Sequence, residues 1–421
     1  MSRAVADAFL PEPRTSSEEL DAVAPAVVAK SPRWLALDVF RFFAVLMMVQ
    51  GHVFSTLLDD ATRATGWFPH HNAFHGFTAP MFLFGAGLAF GYTTFPRWHE
   101  HTSFGPAVSK RFKRYVWLLV LGYGLQLPTL SLTELLALQE GPRLAQFLSV
   151  NVLQHIGVSL AFVQLLVGVL KRRDAVIAIV AVLAAVSVLA APWVWGLDVS
   201  GLPLWLRGYV NQADYSWFPL FPWAGFTYAG IVLAWALFRA PSTESVSGRL
   251  AWPLLALSLA TMLVPVVIDR FGPFPWPPHS FWKANPLFFF WRFGNVLFVL
   301  ALLCFAERFA ARRGWLDADD GPRVVRVLAP WVTLLAAESL VIYVAHLLIL
   351  HGSVIAPGVT RNGMLETRSL GLFESSIATV LMMAVMIVAA KAWSSLRKQA
   401  RAYTIVQLTI IGVVLLLSLT K

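Results

Sequence analysis

One cysteine in 421 residues, Cys304, leaves no intrachain disulfide and no thiolate metal cluster to consider. Charge is scarce too: 13% of residues are Asp, Glu, Lys or Arg, against roughly 25% in a soluble domain, which excludes an ordinary soluble enzyme. The chain has no Walker loop, HExxH helix or GxSxG elbow. It has no obvious internal repeat or paired broken helices of the kind that mark secondary transporters. No signal-peptide layout opens it, since the early apolar stretch is short and broken by Asp7. What is there is apolar: 57% of residues are hydrophobic. At about 20 residues per span, that fraction accommodates ten or eleven transmembrane helices.

Residues 1–32, with Pro11, Pro13, Pro25 and Pro32 around an acidic Glu18, Glu19 and Asp21 patch, read as a disordered cytoplasmic tail. Residues 33–421 read as one all-α polytopic membrane domain. Apolar stretches of spanning length lie near 34–57, 74–95, 112–130, 150–170, 175–196, 217–238, 250–268, 286–306, 327–351, 371–392 and 403–420. Eleven spans with the N-terminus inside and the C-terminus outside put 23 of the 33 basic residues on the cytoplasmic side and nine opposite, with Arg41 inside the first span. The net charge of +10 is thus a topology signal, and nucleic acid is excluded as a partner. The absence of a targeting segment points to a bacterial inner membrane. The stretches Trp205–Trp217 and Phe274–His279 are rich in aromatics and proline. They read as headgroup belts or as the wall of an external vestibule.

The first span carries three ionisable residues, each costly in a bilayer unless paired or facing a cavity: Asp38, Arg41 and His52. Asp38 and Arg41 are three apart and so can pair locally. His52 follows Arg41 by about three turns and returns close to the same face, placing a cation and a titratable imidazole along one stripe. Beyond it, His71 and His75 are four apart. They could ligate a metal on a regular helix, but Gly76 and Pro80 disfavour one, no acidic or thiolate partner accompanies them, and no metal is expected. Gly87 and Gly91 form a GxxxG step suited to close helix packing.

From these residues the chain resembles the transmembrane acyltransferase superfamily, and within it the bacterial relatives of heparan-alpha-glucosaminide N-acetyltransferase. The resemblance rests on Leu37-Asp38-x-x-Arg41, the Arg41-x10-His52 spacing, and Phe77-Thr78-Ala79-Pro80-Met81-Phe82-Leu83-Phe84-x-Ala86-Gly87. It continues through Asn151-Val152-Leu153-Gln154-His155-Ile156-Gly157, Phe218-Pro219-Leu220-Phe221-Pro222-Trp223-x-Gly225 and Ser339-Leu340-x-Ile342-Tyr343-x-x-His346. The departures are Phe42 for a usual Gly and His155 for a usual Arg. The resemblance implies acyl transfer, with acetyl the expected group, from a cytoplasmic acyl-CoA to an amino or hydroxyl group of a sugar, glycan or lipid acceptor. The family's catalytic loop histidine corresponds best to His71, with His75 its rival. His at position 52 is the residue of the O-acyltransferase branch, where the glucosaminide enzyme has Asn. Some relatives are dimers; no heptad seam marks one here.

Chemistry fits that implication. A nucleophile attacking a thioester must lose a proton, a task for His52, His71 or His75 as general base. The oxyanion needs fixed donors, which Arg41, Gln154 or Asn151 can supply. With Asp38 and Arg41 at the donor side, phosphate-binding cations come from Lys110-Arg111-x-Lys113-Arg114 or from Arg308, Arg312 and Arg313. His346 and Glu338 lie eight apart on one face, as part of a site or of a structural network. Two rival readings are a transporter or flippase for a polar lipid or saccharide, and a non-catalytic membrane assembly protein.

Overall fold

A computed structural model describes residues 34–212, 215–239, 244–271, 276–317, 321–351 and 368–420. The acidic tail expected over 1–32, part of the Phe274–His279 stretch and Arg361 lie outside the described residues.

Helices form at all eleven expected positions. With the short α2 that precedes the second of them, and with two helices at the 327–351 position, they are α1 (Leu35–Leu57), α2 (Phe68–His75), α3 (Thr78–Thr94), α4 (Pro106–Gly124), α5 (Val152–Leu170), α6 (Arg173–Leu189), α7 (Leu220–Phe238), α8 (Val246–Asp269), α9 (Pro286–Arg312), α10 (Arg323–Ala337), α11 (Ser339–His351), α12 (Leu372–Lys398) and α13 (Ala400–Thr420). Among the described residues the only β pairing outside them is an isolated bridge from Leu58 to Leu370. Among the described residues seven helical segments are long and apolar enough to cross a membrane, and the pair α10 and α11, bent by 72° at Glu338, makes an eighth if it is one span. The other three positions are α4, whose first turns carry Lys110, Arg111, Lys113 and Arg114, the 17-residue α6, and α13. The protein is a polytopic helical bundle.

The first helix is the hub. Its starting N–H groups, which have no partner within the helix, meet a carboxylate: Ala36 N donates to Glu307 Oε2 at 2.9 Å, and Ser247 ties Trp34 to the same carboxylate. Its other end is clamped by Asp59 N to Leu370 O (2.9 Å) and Leu370 N to Leu57 O (3.0 Å). Between the clamps, Phe40, Ala44 and Met47 pack into a core shared with α3, α5, α7 and α9. Val45, Met48, Val49 and Val53 pack instead with Leu335, Ile342, Leu350 and Met386 of α10, α11 and α12.

The GxxxG step closes α3 on α7 as its composition predicts. A Cβ on Gly87 would stand 1.8 Å from Thr227 O, and one on Gly230 would stand 2.3 Å from Phe84 O. These two backbones therefore touch directly. The outer faces of α8 and α12 leave Leu263, Val266, Val380 and Val388 exposed, as a lipid-facing surface requires.

Candidate functional site

Three groups of polar side chains lie along α1 and α11. The first is a cluster of imidazoles. The ring centroid of His52 is 5.2 Å from His346, 6.1 Å from His75 and 6.1 Å from His351. His75 reaches this position because α2 ends at Gly76 and because residue 51 has no side chain: a Cβ there would sit 1.7 Å from the His75 ring. His346 is fully buried, with Nδ1 against Ile342 O at 2.7 Å. The nitrogens His75 Nε2 and His346 Nε2 are buried without a protein partner. Desolvated polar atoms of this kind are costly unless something fills them.

His71 is placed differently. Its Nε2 meets the Gln50 amide at 2.9 and 3.1 Å, and its ring stacks against Phe54, Phe68 and His75. Of the two loop histidines, it is His75 whose ring stands beside His52. The helix that carries them is regular through His75 and breaks only at Gly76, before Pro80. Among the described residues no group of three or more His, Cys, Asp or Glu is arranged to hold a metal ion.

The second group is an amide cluster. Gln126 Nε2 donates to Phe147 O and Ser149 O at 3.0 and 2.9 Å, while its Oε1 accepts from Asn151 and from Gln154 Nε2 (3.2 Å). Gln154 is fully buried and its Oε1 has no partner. Gly122 makes the room, since a Cβ there would fall 2.6 Å from the Gln154 amide. Gln126, Asn151 and Gln154 line a cavity of about 130 Å³ together with Tyr343 and His351.

The third group lines a cavity of about 310 Å³ between α1, α3, α4, α5 and α11, and it contains Arg41, Arg111 and Arg114. Arg111 is held by Thr94 Oγ1 (2.7 Å), Thr93 Oγ1 (3.0 Å) and Gln164 Oε1 (3.1 Å), with its guanidinium over Phe90. Arg41 donates to Ser339 Oγ at 3.2 Å, across the break between α10 and α11. Asp38 is half-buried one turn earlier on α1. The other basic run lies elsewhere: Arg308 donates to Gly248 O, and Arg313 covers Phe309. Tyr343 lines both cavities, so the arginine pocket and the amide pocket are neighbours that share this residue as a wall.

The structure thus gathers Arg41, Arg111 and Arg114 into one pocket, Asn151 and Gln154 into a second, and His52 and His75 into the imidazole cluster. Glu338 and His346 separate despite sharing a helical face in sequence. Glu338 is buried and bonded to Arg397 of α12, whereas His346 joins His52. Three contributors escaped sequence reasoning as site residues. His351 carried a signal, a second histidine five residues after His346, and Tyr343 stood in the Ser339–His346 motif with no role assigned; Gln126 carried none.

Residues 33–264, more than half of the chain, match the family model described as heparan-alpha-glucosaminide N-acetyltransferase, catalytic. No curated protein matches the chain.

Proposed function

Because the chain belongs to the heparan-alpha-glucosaminide N-acetyltransferase catalytic family, a family of membrane acetyltransferases, we propose that it moves an acetyl group from acetyl-CoA to an amino or hydroxyl group of a sugar, glycan or lipid acceptor. The observation that carries this reading is that the arginine cavity and the amide cavity adjoin at a shared residue, Tyr343. A phosphate-bearing donor fits among Arg41, Arg111 and Arg114, and its thioester can extend past Tyr343 toward Gln154, His351 and His52. The Arg111 guanidinium, fixed by two hydroxyls and an amide oxygen, keeps its charge available for an anion.

In the reaction, the acceptor nitrogen or oxygen attacks the thioester carbon as the C–S bond breaks. The acceptor proton passes to an imidazole, for which His52 with His75 is the best-supported pair, and the CoA sulfur leaves as thiolate and takes up a proton. His346 orients His52. His71, tied to Gln50, positions His75. The Asn151 and Gln154 amides each spend one N–H on Gln126 and retain a second for the oxyanion. Asp38 supports Arg41 from one turn away.

The test is calorimetric titration of the purified full-length protein with acetyl-CoA, with CoA and ATP as controls. Saturable micromolar binding, weakened about tenfold by Arg111→Ala, is expected. No binding, or equal binding of ATP, would overturn the acetyl-CoA reading and favour a transport role.

A further inference from the structure

A cavity of about 930 Å³ is not used by the donor path. It lies beside the imidazole cluster, on the other side of α2, and is formed by α2, α8, α9 and the residues before α9. Its walls are Val266, Phe281, Trp282, Leu287 and Trp291, with Asn72 and Ala73 from α2, and two cations, Arg270 and Arg292. Val266 is 57% exposed and Trp282 62% exposed, so the groove opens sideways through the lipid-facing surface.

Arg292 is the informative residue. It sits inside the bundle on α9, over Phe288 at 4.1 Å and Trp223 at 5.7 Å. Those ring contacts come without a hydrogen bond or a carboxylate partner among the described residues. A guanidinium at membrane depth is costly without an anion. Its Nη2 also lies 3.5 Å from where a Cβ on Gly76 would stand. The cation therefore bridges the groove and the residue next to His75.

We propose that this groove seats the acceptor, and that the acceptor is an anionic amphiphile. Its acidic group pairs with Arg292 and Arg270, its hydrocarbon chain lies along Val266, Leu287, Trp282 and Trp291 toward the bilayer, and its nucleophilic headgroup reaches past Gly76 to the imidazoles. The aromatic and aliphatic walls suit a chain better than a free polysaccharide, and the volume falls within the range of small-molecule sites. This assignment of the acceptor rests on the acetyl-transfer reading above; the groove's preference for an anionic lipid does not.

Three probes separate the terms when titrated into the purified full-length protein. They are dioctanoyl phosphatidylglycerol (chains and anion), dioctanoyl phosphatidylcholine (chains without net charge) and glycerol 3-phosphate (anion without chains). Phosphatidylglycerol is expected to bind at least tenfold tighter than either partial ligand. Arg292→Gln should remove that advantage, and Val266→Trp, which fills the groove from an exposed position, should abolish binding even if the arginine variant folds poorly. Both variants should bind acetyl-CoA within twofold of wild type while losing acceptor-dependent release of CoA in the presence of membrane lipid. Equal binding of the two lipids, equal binding of glycerol 3-phosphate, or unchanged turnover in Val266→Trp would overturn the proposal. Absence of acetyl-CoA binding with the lipid preference intact would instead overturn the transferase reading and leave an anionic-lipid groove.

Discussion

A histidine in the C-terminal third of a membrane helix has value for proton transfer only if its partners hold it in place, and here the partner that matters is a missing side chain. Gly51 lets the His75 ring lie against α1 beside His52. His52→Ala is therefore expected to lower turnover by about 10²- to 10⁴-fold, the usual contribution of a general base, with the melting temperature nearly unchanged. Gly51→Ala leaves both imidazoles present but displaces one, and is expected to cost about 10²-fold through misplacement alone. Turnover of labelled acetyl-CoA checks both, and a fully active His52→Ala would remove His52 from the reaction. The residues that sequence made visible were those whose chemistry is conspicuous in a membrane: Arg41, His52, His71, His75, Arg111 and Arg114. The choice of His75 over His71 as the neighbour of His52 was not visible, because it depends on a glycine on another helix. Arg292 stood in the sequence only as one of the nine basic residues assigned, at a span end, to the non-cytoplasmic side, since nothing in its own segment reveals that α9 sets it against Phe288 and Trp223.

At the scale of the element, the break in the spanning pair α10 and α11 is built around a buried carboxylate. Glu338, 3% exposed, accepts from Arg397 of α12, while the next residue, Ser339, accepts from Arg41. A pattern of eight-residue spacing put Glu338 and His346 on one face, and an unbroken helix would have kept them there; the 72° bend divides them between a structural ion pair and the imidazole cluster. Arg397→Ala leaves the carboxylate buried and uncompensated, for an expected loss of about 2–4 kcal/mol. Glu338→Gln should cost less, and adding it to Arg397→Ala should recover part of the loss, because the amide carries no charge to strand. A thermal or denaturant double-mutant cycle measures that coupling. Additive losses would mean that the bend is held by packing alone. The existence of helices at all eleven positions was legible from hydropathy, and the interruption at Glu338 was not, since no proline or glycine stands there.

For the whole molecule, the orientation in the membrane and the path of the donor are one question. Trp98 Nε1 donates to Lys171 O, and Arg173 donates to Phe95 O, so the Lys171–Arg173 turn packs against the C-terminal end of α3. That end also holds Thr93 and Thr94, the residues that fix Arg111 in the arginine cavity. A cytoplasmic acyl-CoA therefore requires Lys171 to face the cytoplasm, and the excess of basic residues at this end predicts the same. The single buried Cys304 makes this measurable: in a Cys304→Ala background, new cysteines report without interference. Lys171→Cys, at an exposed turn, should react with an impermeant maleimide only after cells are opened. Trp205→Cys, 58% exposed, should react in intact cells. Leu419→Cys, near the end of α13 and 72% exposed, decides the span count. Labelling in intact cells requires an odd number of crossings from a cytoplasmic N-terminus and agrees with eleven, whereas labelling only after lysis requires an even number and would leave α13, or another of the three helices outside the eight, lying along the membrane surface. Reversed accessibility at Lys171 and Trp205 would place the arginine cavity on the far side and rule out a cytoplasmic donor, whatever the affinity for acetyl-CoA in detergent.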